Sequence, residues 1–271
     1  MTQVIIDGKP CAAEEGETLL VVARREGIDI PAFCFEESLA SYGACRMCLV
    51  EVVKGARPGI TTSCTLQAAD GLEVLTETPE ITGLRKALIE LYLAQAPRAE
   101  SIKALARRYG VEKTRFARKV VKEDPLQNRC ILCGLCVRVC GEIMGAGAIN
   151  YIGRGQFTEI NTPFYEENEA CMGCGACAEV CPTGAIALED RTDTRVMKSW
   201  SETKVPLARC AACGTFFAPV PFTRYAHEKL DPGILDALKD LCPACRSKAA
   251  ARKAILLKKE GVIPPEPELQ A

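Results

Sequence analysis

Val4-Ile5-Ile6 followed by Asp7-Gly8 reads as a strand running into a hairpin, because Asp-Gly supplies the two left-handed positions of a tight turn. Thr18 predicts an N-cap for a helix over Leu19 to Arg25, which Gly27 stops. Apolar runs near Leu49 to Val53 and near Glu73 to Thr76 predict further strands. The period then changes. Leu84, Ala87, Leu88, Leu91 and Tyr92 recur at helical spacing and Ala104 to Arg108 follows, so residues 79–126 read as a helical linker. No apolar stretch approaches the roughly 20 residues that a spanning helix needs. The most apolar piece of the linker, Ala87 to Ala94, is interrupted by Glu90. The start, Met1-Thr-Gln-Val-Ile-Ile-Asp, has neither the basic beginning nor the apolar core of a signal peptide.

The chain has 271 residues, room for two or three small domains, and a net charge of −1, which argues for neither nucleic acid nor membrane. The charge is uneven. Nine Lys/Arg lie between Arg98 and Lys122 (Arg98, Lys103, Arg107, Arg108, Lys113, Arg115, Arg118, Lys119, Lys122) against Glu100 and Glu112, a local balance of +7. That run is either a solvated helix face or a docking face for an acidic partner. No set of stacking aromatics accompanies it, so nucleic-acid binding is not expected.

The chemistry lies in the cysteines. Sixteen of the 17 fall into four groups of four, leaving only Cys11, which reads as a small buried apolar residue. Recurrent C-x2-C spacing without a secretion signal points to metal ligation in a reducing cytoplasm and away from disulfides. The first group runs Cys34-x10-Cys45-x2-Cys48-x15-Cys64, with Gly43 and Ala44 before the middle pair. It suits a 2Fe-2S cluster, two thiolates to each iron, with Gly43 letting backbone approach the sulfurs. The second and third groups are an internal repeat of C-x2-C-x2-C-x3-C, at Cys130, Cys133, Cys136, Cys140 and at Cys171, Cys174, Cys177, Cys181. Pro182 follows the second run, and Gly141 stands in that place in the first. This is the signature of bacterial dicluster ferredoxins, in which the fourth cysteine of each run serves the other cluster. One 4Fe-4S cluster is therefore expected on Cys130, Cys133, Cys136 and Cys181, the other on Cys171, Cys174, Cys177 and Cys140. The first three ligands of each are expected on a tight loop helped by Gly134, Gly173 and Gly175, with the fourth opening a short helix. The last group, Cys210-x2-Cys213 and Cys242-x2-Cys245, reads as a closed four-thiolate zinc site, with a third 4Fe-4S cluster as the alternative. His227, the only histidine, and Trp200, the only tryptophan, read as ordinary packing or surface residues. Gly145-x-Gly147 lacks the strand–helix frame of a dinucleotide site, so NAD(H) and flavin are assigned to a partner.

Asp7-Gly8, Gly27-Ile28-Asp29-Ile30-Pro31, Gly43-Ala44-Cys45-Arg46-Met47-Cys48 with Val50-Glu51-Val52, and Ser63-Cys64-Thr65 together resemble the front of the large iron–sulfur subunit of respiratory NADH dehydrogenases. They resemble the diaphorase iron–sulfur subunit of bidirectional hydrogenases equally. Gly145 to Gly155 with Phe157-Thr-Glu-Ile160 looks like the paired strands between cluster motifs in that family. The resemblance covers about residues 1–190. It implies an α+β chain: a β-grasp 2Fe-2S ferredoxin domain over 1–78, a basic helical linker over 79–126, and a bacterial-type double 4Fe-4S ferredoxin domain over 127–190. A zinc-ribbon-like region over 191–260 and a flexible tail over 261–271 lie beyond it. The family's linker carries one His and three Cys that bind a further cluster. Here no Cys or His stands between Cys64 and Cys130, so that cluster is not expected. The molybdopterin-type domain of the respiratory relatives is not expected either. The function so implied is non-catalytic electron transfer between a flavin/NAD(P)H subunit and a catalytic subunit such as a NiFe hydrogenase or formate dehydrogenase. A structural or redox-sensing assembly module is the alternative.

Overall fold

The computed structural model describes residues 2–117, 124–229 and 240–259, with side chains to 252. Arg118, Lys119 and Lys122 of the basic run and the tail over 261–271 lie outside the described residues.

β1 (Thr2–Ile6) and β2 (Lys9–Ala13) form the hairpin, with Asp7 at φ 51° and Gly8 at φ 79°. The Asp7 carboxylate does more than turn the chain. It accepts the Thr76 N–H at 2.7 Å and the Thr76 hydroxyl at 2.6 Å, tying the turn to the end of β5 (Glu73–Leu75). β3 (Leu49–Lys54) and β4 (Gly59–Thr62) complete a mixed sheet of order β2-β1-β5-β3-β4, in which β1 and β5 are parallel. Val4, Ile6, Val50, Val52 and Val74 alternate onto one buried face, against Leu19, Leu20, Val22 and Ala23 of α1 (Leu19–Arg25). Each fully buried aliphatic side chain there contributes about 1.5–3 kcal/mol. Cys11 lies in this core. Thr18 stands at the N-cap of α1 with extended φ/ψ, but its side chain makes no capping bond. The helix is instead anchored by Leu19 N–H to the Leu66 carbonyl and Leu20 N–H to the Ser63 carbonyl, at 2.8 and 3.1 Å.

α2 (Pro79–Gln95) starts on a Thr78 cap, whose hydroxyl accepts the Ile81 N–H at 3.3 Å. α3 (Glu100–Arg108) follows. The buried face of α2 is set by Ile81, Arg85, Ile89 and Ala94, whereas Leu84 and Leu91 of the sequence-predicted stripe are exposed. The stripe slips because a fully buried arginine holds its centre. Of the described cations in the basic run, Lys103 pairs with Glu100, Arg108 with Asp29 and Arg115 with Glu90.

α4 (Leu135–Arg138) continues into a π turn (Val139–Ile143), β6 (Asn150–Ile152) pairs with β7 (Glu159–Asn161), and α5 (Ala176–Glu179) follows. β8 (Leu188–Asp190), β9 (Thr194–Met197), β10 (Thr203–Arg209) and β11 (Phe216–Pro219) form an antiparallel sheet in chain order. α6 (Val220–Lys229) and α7 (Pro243–Lys259) come after it. The chain divides into two units. One holds 1–166, 175–187 and 198–201; the other holds 167–174, 188–197 and 202–271. Among the described residues, no helix is long and apolar enough to cross a membrane.

Candidate iron–sulfur and metal sites

Cys34, Cys45, Cys48 and Cys64 are all buried, on the loop before β3 and just after β4. They associate as two pairs. Cys34 hydrogen-bonds Cys45, which pulls the Cys45 thiol down to about 6 and pushes that of Cys34 up. Cys64 does the same to Cys48, which falls to about 7. Backbone N–H groups also aim at sulfur: Cys45 N–H at Cys34 Sγ, 3.2 Å, and Phe33 N–H at Cys45 Sγ, 3.4 Å. Gly43 has φ 67°, and a Cβ there would stand 3.1 Å from Thr65 Cγ2.

The outer face of this loop is gripped by α2. The Tyr92 hydroxyl donates to the Cys45 carbonyl at 2.8 Å. Arg85 donates from Nε to the Met47 carbonyl at 3.1 Å and from Nη2 to the Leu49 carbonyl at 2.7 Å. Arg85 Nη1 meets Glu77 at 2.7 Å and the Tyr109 hydroxyl at 2.9 Å, and that hydroxyl donates to Glu77. Sequence reading missed Arg85 and placed Tyr92 on the apolar stripe without the bond its hydroxyl makes. The available signal was an arginine four residues from both Ile81 and Ile89, on a stripe that should be apolar.

Cys130, Cys133, Cys136 and Cys181 line one cavity, closed by Leu126, Ile160 and Ile186 among others. The fourth cysteine of the second run therefore joins the first three of the first run. Burial raises the Cys133 thiol to about 12 and that of Cys136 well above the ordinary range. Leu132 N–H points at Cys130 Sγ at 3.4 Å and Ala185 N–H at Cys181 Sγ at 3.3 Å. A cavity lined by four thiols, with amides aimed at sulfur, suits an anionic iron–sulfide cluster.

The short helices differ from expectation. Gly134 and Gly175, left-handed at φ 81° and 82°, each open the helix before the third cysteine. Cys136 and Cys177 lie within the helices, whereas Cys140 sits in the π turn and Cys181 beyond α5. The fourth cysteine thus lies within the helical run (Cys140) or just past it (Cys181) and does not open it. The reason is geometric: four residues of helix carry the chain about 6 Å, away from the first three ligands. Ala148 N–H points at Cys140 Sγ at 3.3 Å, in the same unit as Cys177. Cys171 and Cys174 belong to the other unit, where Arg195 donates to the Gly173 carbonyl at 2.8 Å and forms a two-pronged pair with Asp190.

Cys210, Cys213, Cys242 and Cys245 converge, with all sulfurs within 4.8 Å of one another. Among the described residues this is the one set of three or more His, Cys, Asp or Glu that does so. Cys242 N–H donates to Cys210 Sγ at 3.3 Å, the main cause that lowers the Cys210 thiol to about 6. The hairpin closes through Cys210 N–H to the Thr215 carbonyl at 2.9 Å, with Gly214 at φ 75°. His227 lies on α6 and is not part of the set.

Side chains of α2 and α3, where no Cys or His stands, pack against the loop of the first cysteine set. Cys34, Cys45, Met47, Ile89, Leu105, Ala106 and Tyr109 form one apolar cluster, with Phe33, Tyr92 and Cys133 packed against it.

Residues 1–79 match the 2Fe-2S iron-sulfur cluster binding domain, and residues 129–185 and 170–215 match the 4Fe-4S dicluster domain. The chain is 36% identical over 206 residues to an NADH-quinone oxidoreductase subunit of Rhizobium meliloti, covering 69% of this chain and 24% of that protein. It is 31% identical over 212 residues to an NADP-reducing hydrogenase subunit of Solidesulfovibrio fructosivorans, covering 69% of this chain and 36% of that one. A crystal structure of an NAD+-reducing NiFe-hydrogenase in the H2-reduced state superimposes with a TM-score of 0.52 at 29% identity, over 60% of this chain and 75% of the other. The chain thus spans about a quarter to a third of the length of these sequence relatives.

Proposed function

We propose that this chain, homologous over 69% of its length to iron–sulfur subunits of NADH dehydrogenases and hydrogenases, is a non-catalytic electron-transfer subunit. It works between a flavoprotein that oxidises NAD(P)H and a catalytic hydrogenase or dehydrogenase subunit, in the cytoplasm. The observation that carries this reading is the shared apolar cluster joining Cys34 and Cys45 to Cys133 through Phe33 and Tyr92. Two redox-type thiol sets are placed close together, with low-dielectric packing between them. The linker lacks the family's extra ligands, and the packed side chains of α2 and α3 occupy that stretch instead.

The bound clusters would accept and release electrons one at a time; the chain holds, spaces and tunes them. Cys34 and Cys45 would hold one iron of a 2Fe-2S cluster, Cys48 and Cys64 the other, as the two thiol pairs suggest. Cys130, Cys133, Cys136 and Cys181 would hold one 4Fe-4S cluster, supported by their common cavity. Cys140, Cys171, Cys174 and Cys177 would hold the second, on the strength of the repeat. Cys210, Cys213, Cys242 and Cys245 would hold zinc. Zn–S bonds of about 2.3 Å place tetrahedral sulfurs about 3.8 Å apart, and Cys213 and Cys242 already stand at 3.7 Å. A four-iron cube puts each thiolate on a separate iron and holds them farther apart, so this spacing favours the single ion.

The test is oxygen-free isolation of the native complex with metal and sulfide analysis. About ten irons and one zinc per chain are expected, with a flavoprotein and a hydrogenase or dehydrogenase in the same complex. Pale protein lacking acid-labile sulfide refutes the reading. Cys45→Ser is expected to remove the 2Fe-2S signal from low-temperature electron paramagnetic resonance spectra, with about two irons lost per chain and both 4Fe-4S signals retained. An unchanged spectrum would contradict the assignment.

A further inference from the structure

The first C-x2-C turn in each of the three proposed cluster-bearing cysteine sets shares one contact. In each, the carbonyl just before the second cysteine is held from outside by a side-chain donor. The Met47 carbonyl, before Cys48, accepts Arg85 Nε at 3.1 Å. The Gly173 carbonyl, before Cys174, accepts Arg195 Nη1 at 2.8 Å. The Leu132 carbonyl, before Cys133, accepts the Tyr151 hydroxyl at 3.4 Å. The donors come from unrelated elements, α2, β9 and β6. A shared position reached from three different elements is a requirement of the loop, not of one local fold.

A trans peptide explains the requirement. Its N–H points opposite to its C=O, and the described chain has no cis peptide bond. Holding the Met47, Leu132 and Gly173 carbonyls fixes their peptide planes, and with them the direction of the Cys48, Cys133 and Cys174 N–H groups, each opposite to the held carbonyl. An N–H directed at cluster sulfur stabilises the reduced, more negative state and raises the potential. Two of the clamps are guanidinium groups. Arg85 is fully buried, and its countercharge Glu77 is half exposed at 49%. Arg195 is mostly buried against Asp190, which is 44% exposed. Each positive charge is therefore less screened than its partner. The third clamp is neutral: Gly134 leaves the room for it, since a Cβ there would fall 2.3 Å from the Tyr151 oxygen.

We propose that Arg85, Arg195 and Tyr151 are positioning residues that set the potentials of the three clusters, each on its own loop, through the pinned carbonyl and, for the arginines, through charge. This rests on the electron-transfer reading above. It predicts two unequal 4Fe-4S clusters, the one on the Cys171 run being the easier to reduce, because its clamp is charged.

The experiment is a redox titration monitored by electron paramagnetic resonance on the full chain, with iron and sulfide counted in each sample. Arg85→Met is expected to lower the 2Fe-2S midpoint and Arg195→Met that of one 4Fe-4S cluster. Tyr151→Phe is expected to lower the other by a smaller shift, and each variant leaves the remaining two in place. Glu77→Gln and Asp190→Asn keep the clamp and remove the countercharge, so each is expected to shift the same cluster upward. These two decide the matter where a methionine variant does not fold or load. Fully loaded variants with wild-type potentials, or a uniform shift of all clusters, overturn the proposal. Wild-type protein without sulfide instead overturns the electron-transfer reading on which it rests.

Discussion

Cys181→Ser is expected to destroy the cluster built on Cys130, Cys133 and Cys136 and to leave the cluster of its own run, Cys171, Cys174 and Cys177, in place. The cause is the placement of Cys181 beyond α5, in the cavity of the first run. One helical turn separates it from Cys177, and that translation is enough to deliver it to the neighbouring cluster. About four of ten irons should be lost. The measurement is metal content together with the low-temperature resonance spectrum, read against two references. Cys181→Ser should match Cys133→Ser and differ from Cys174→Ser. Cys140→Ser should show the reverse. If Cys181→Ser matched Cys174→Ser, ligation would be local to each run, and crossed attachment would be wrong.

Removal of the metal proposed for Cys210, Cys213, Cys242 and Cys245, by chelation or by Cys242→Ser, is expected to unfold the β8–β11 sheet. The apolar interior of that unit is small: Val196, Met197, Val205 and Leu207 are its buried aliphatic and Met residues among those described, with Cys210 and Cys242 beside them. So few buried side chains do not hold a small unit against its chain entropy without a staple. A structural zinc in finger peptides contributes about 10–16 kcal/mol of apparent binding free energy, which is folding free energy where the site does not exist in the unfolded chain. Limited proteolysis is the readout. Cleavage should appear within residues 188–252 after metal removal, while the visible absorption of the 2Fe-2S cluster persists. A metal-free sheet that resists protease, or iron in place of zinc, would contradict the assignment.

The iron–sulfur domains were legible because ligation by cysteine depends on spacing along the chain. In both C-x2-C-x2-C runs the residue before the second cysteine and the one after it are left-handed: Leu132 and Gly134 in the first, Gly173 and Gly175 in the second. The Asp7-Gly8 hairpin was legible for the same reason: two residues set their own dihedral angles. Alternation in Val50 and Val52 located β3. Its partners were not legible, since β1 pairs with both β2 and β5 across a long separation. Thr18 shows the limit of local signals. Its position and dihedrals are those of a cap, yet the backbone carbonyls of Ser63 and Leu66, far along the chain, do the anchoring.

By itself the sequence grouped the thiols by their spacing and showed that no Cys or His stands between Cys64 and Cys130. All of that is set by short-range chain geometry and by the presence or absence of a donor atom. Only the tertiary structure decided that Arg85, Arg195 and Tyr151 hold the loop carbonyls, and that the four C-terminal sulfurs close to the span of a single ion. An arginine on a helix reads as solvent-facing until the packing around it is known, because its charge is tolerated inside only where particular carbonyls and a carboxylate meet it. Such partners come from residues distant in the chain, and no local pattern encodes them.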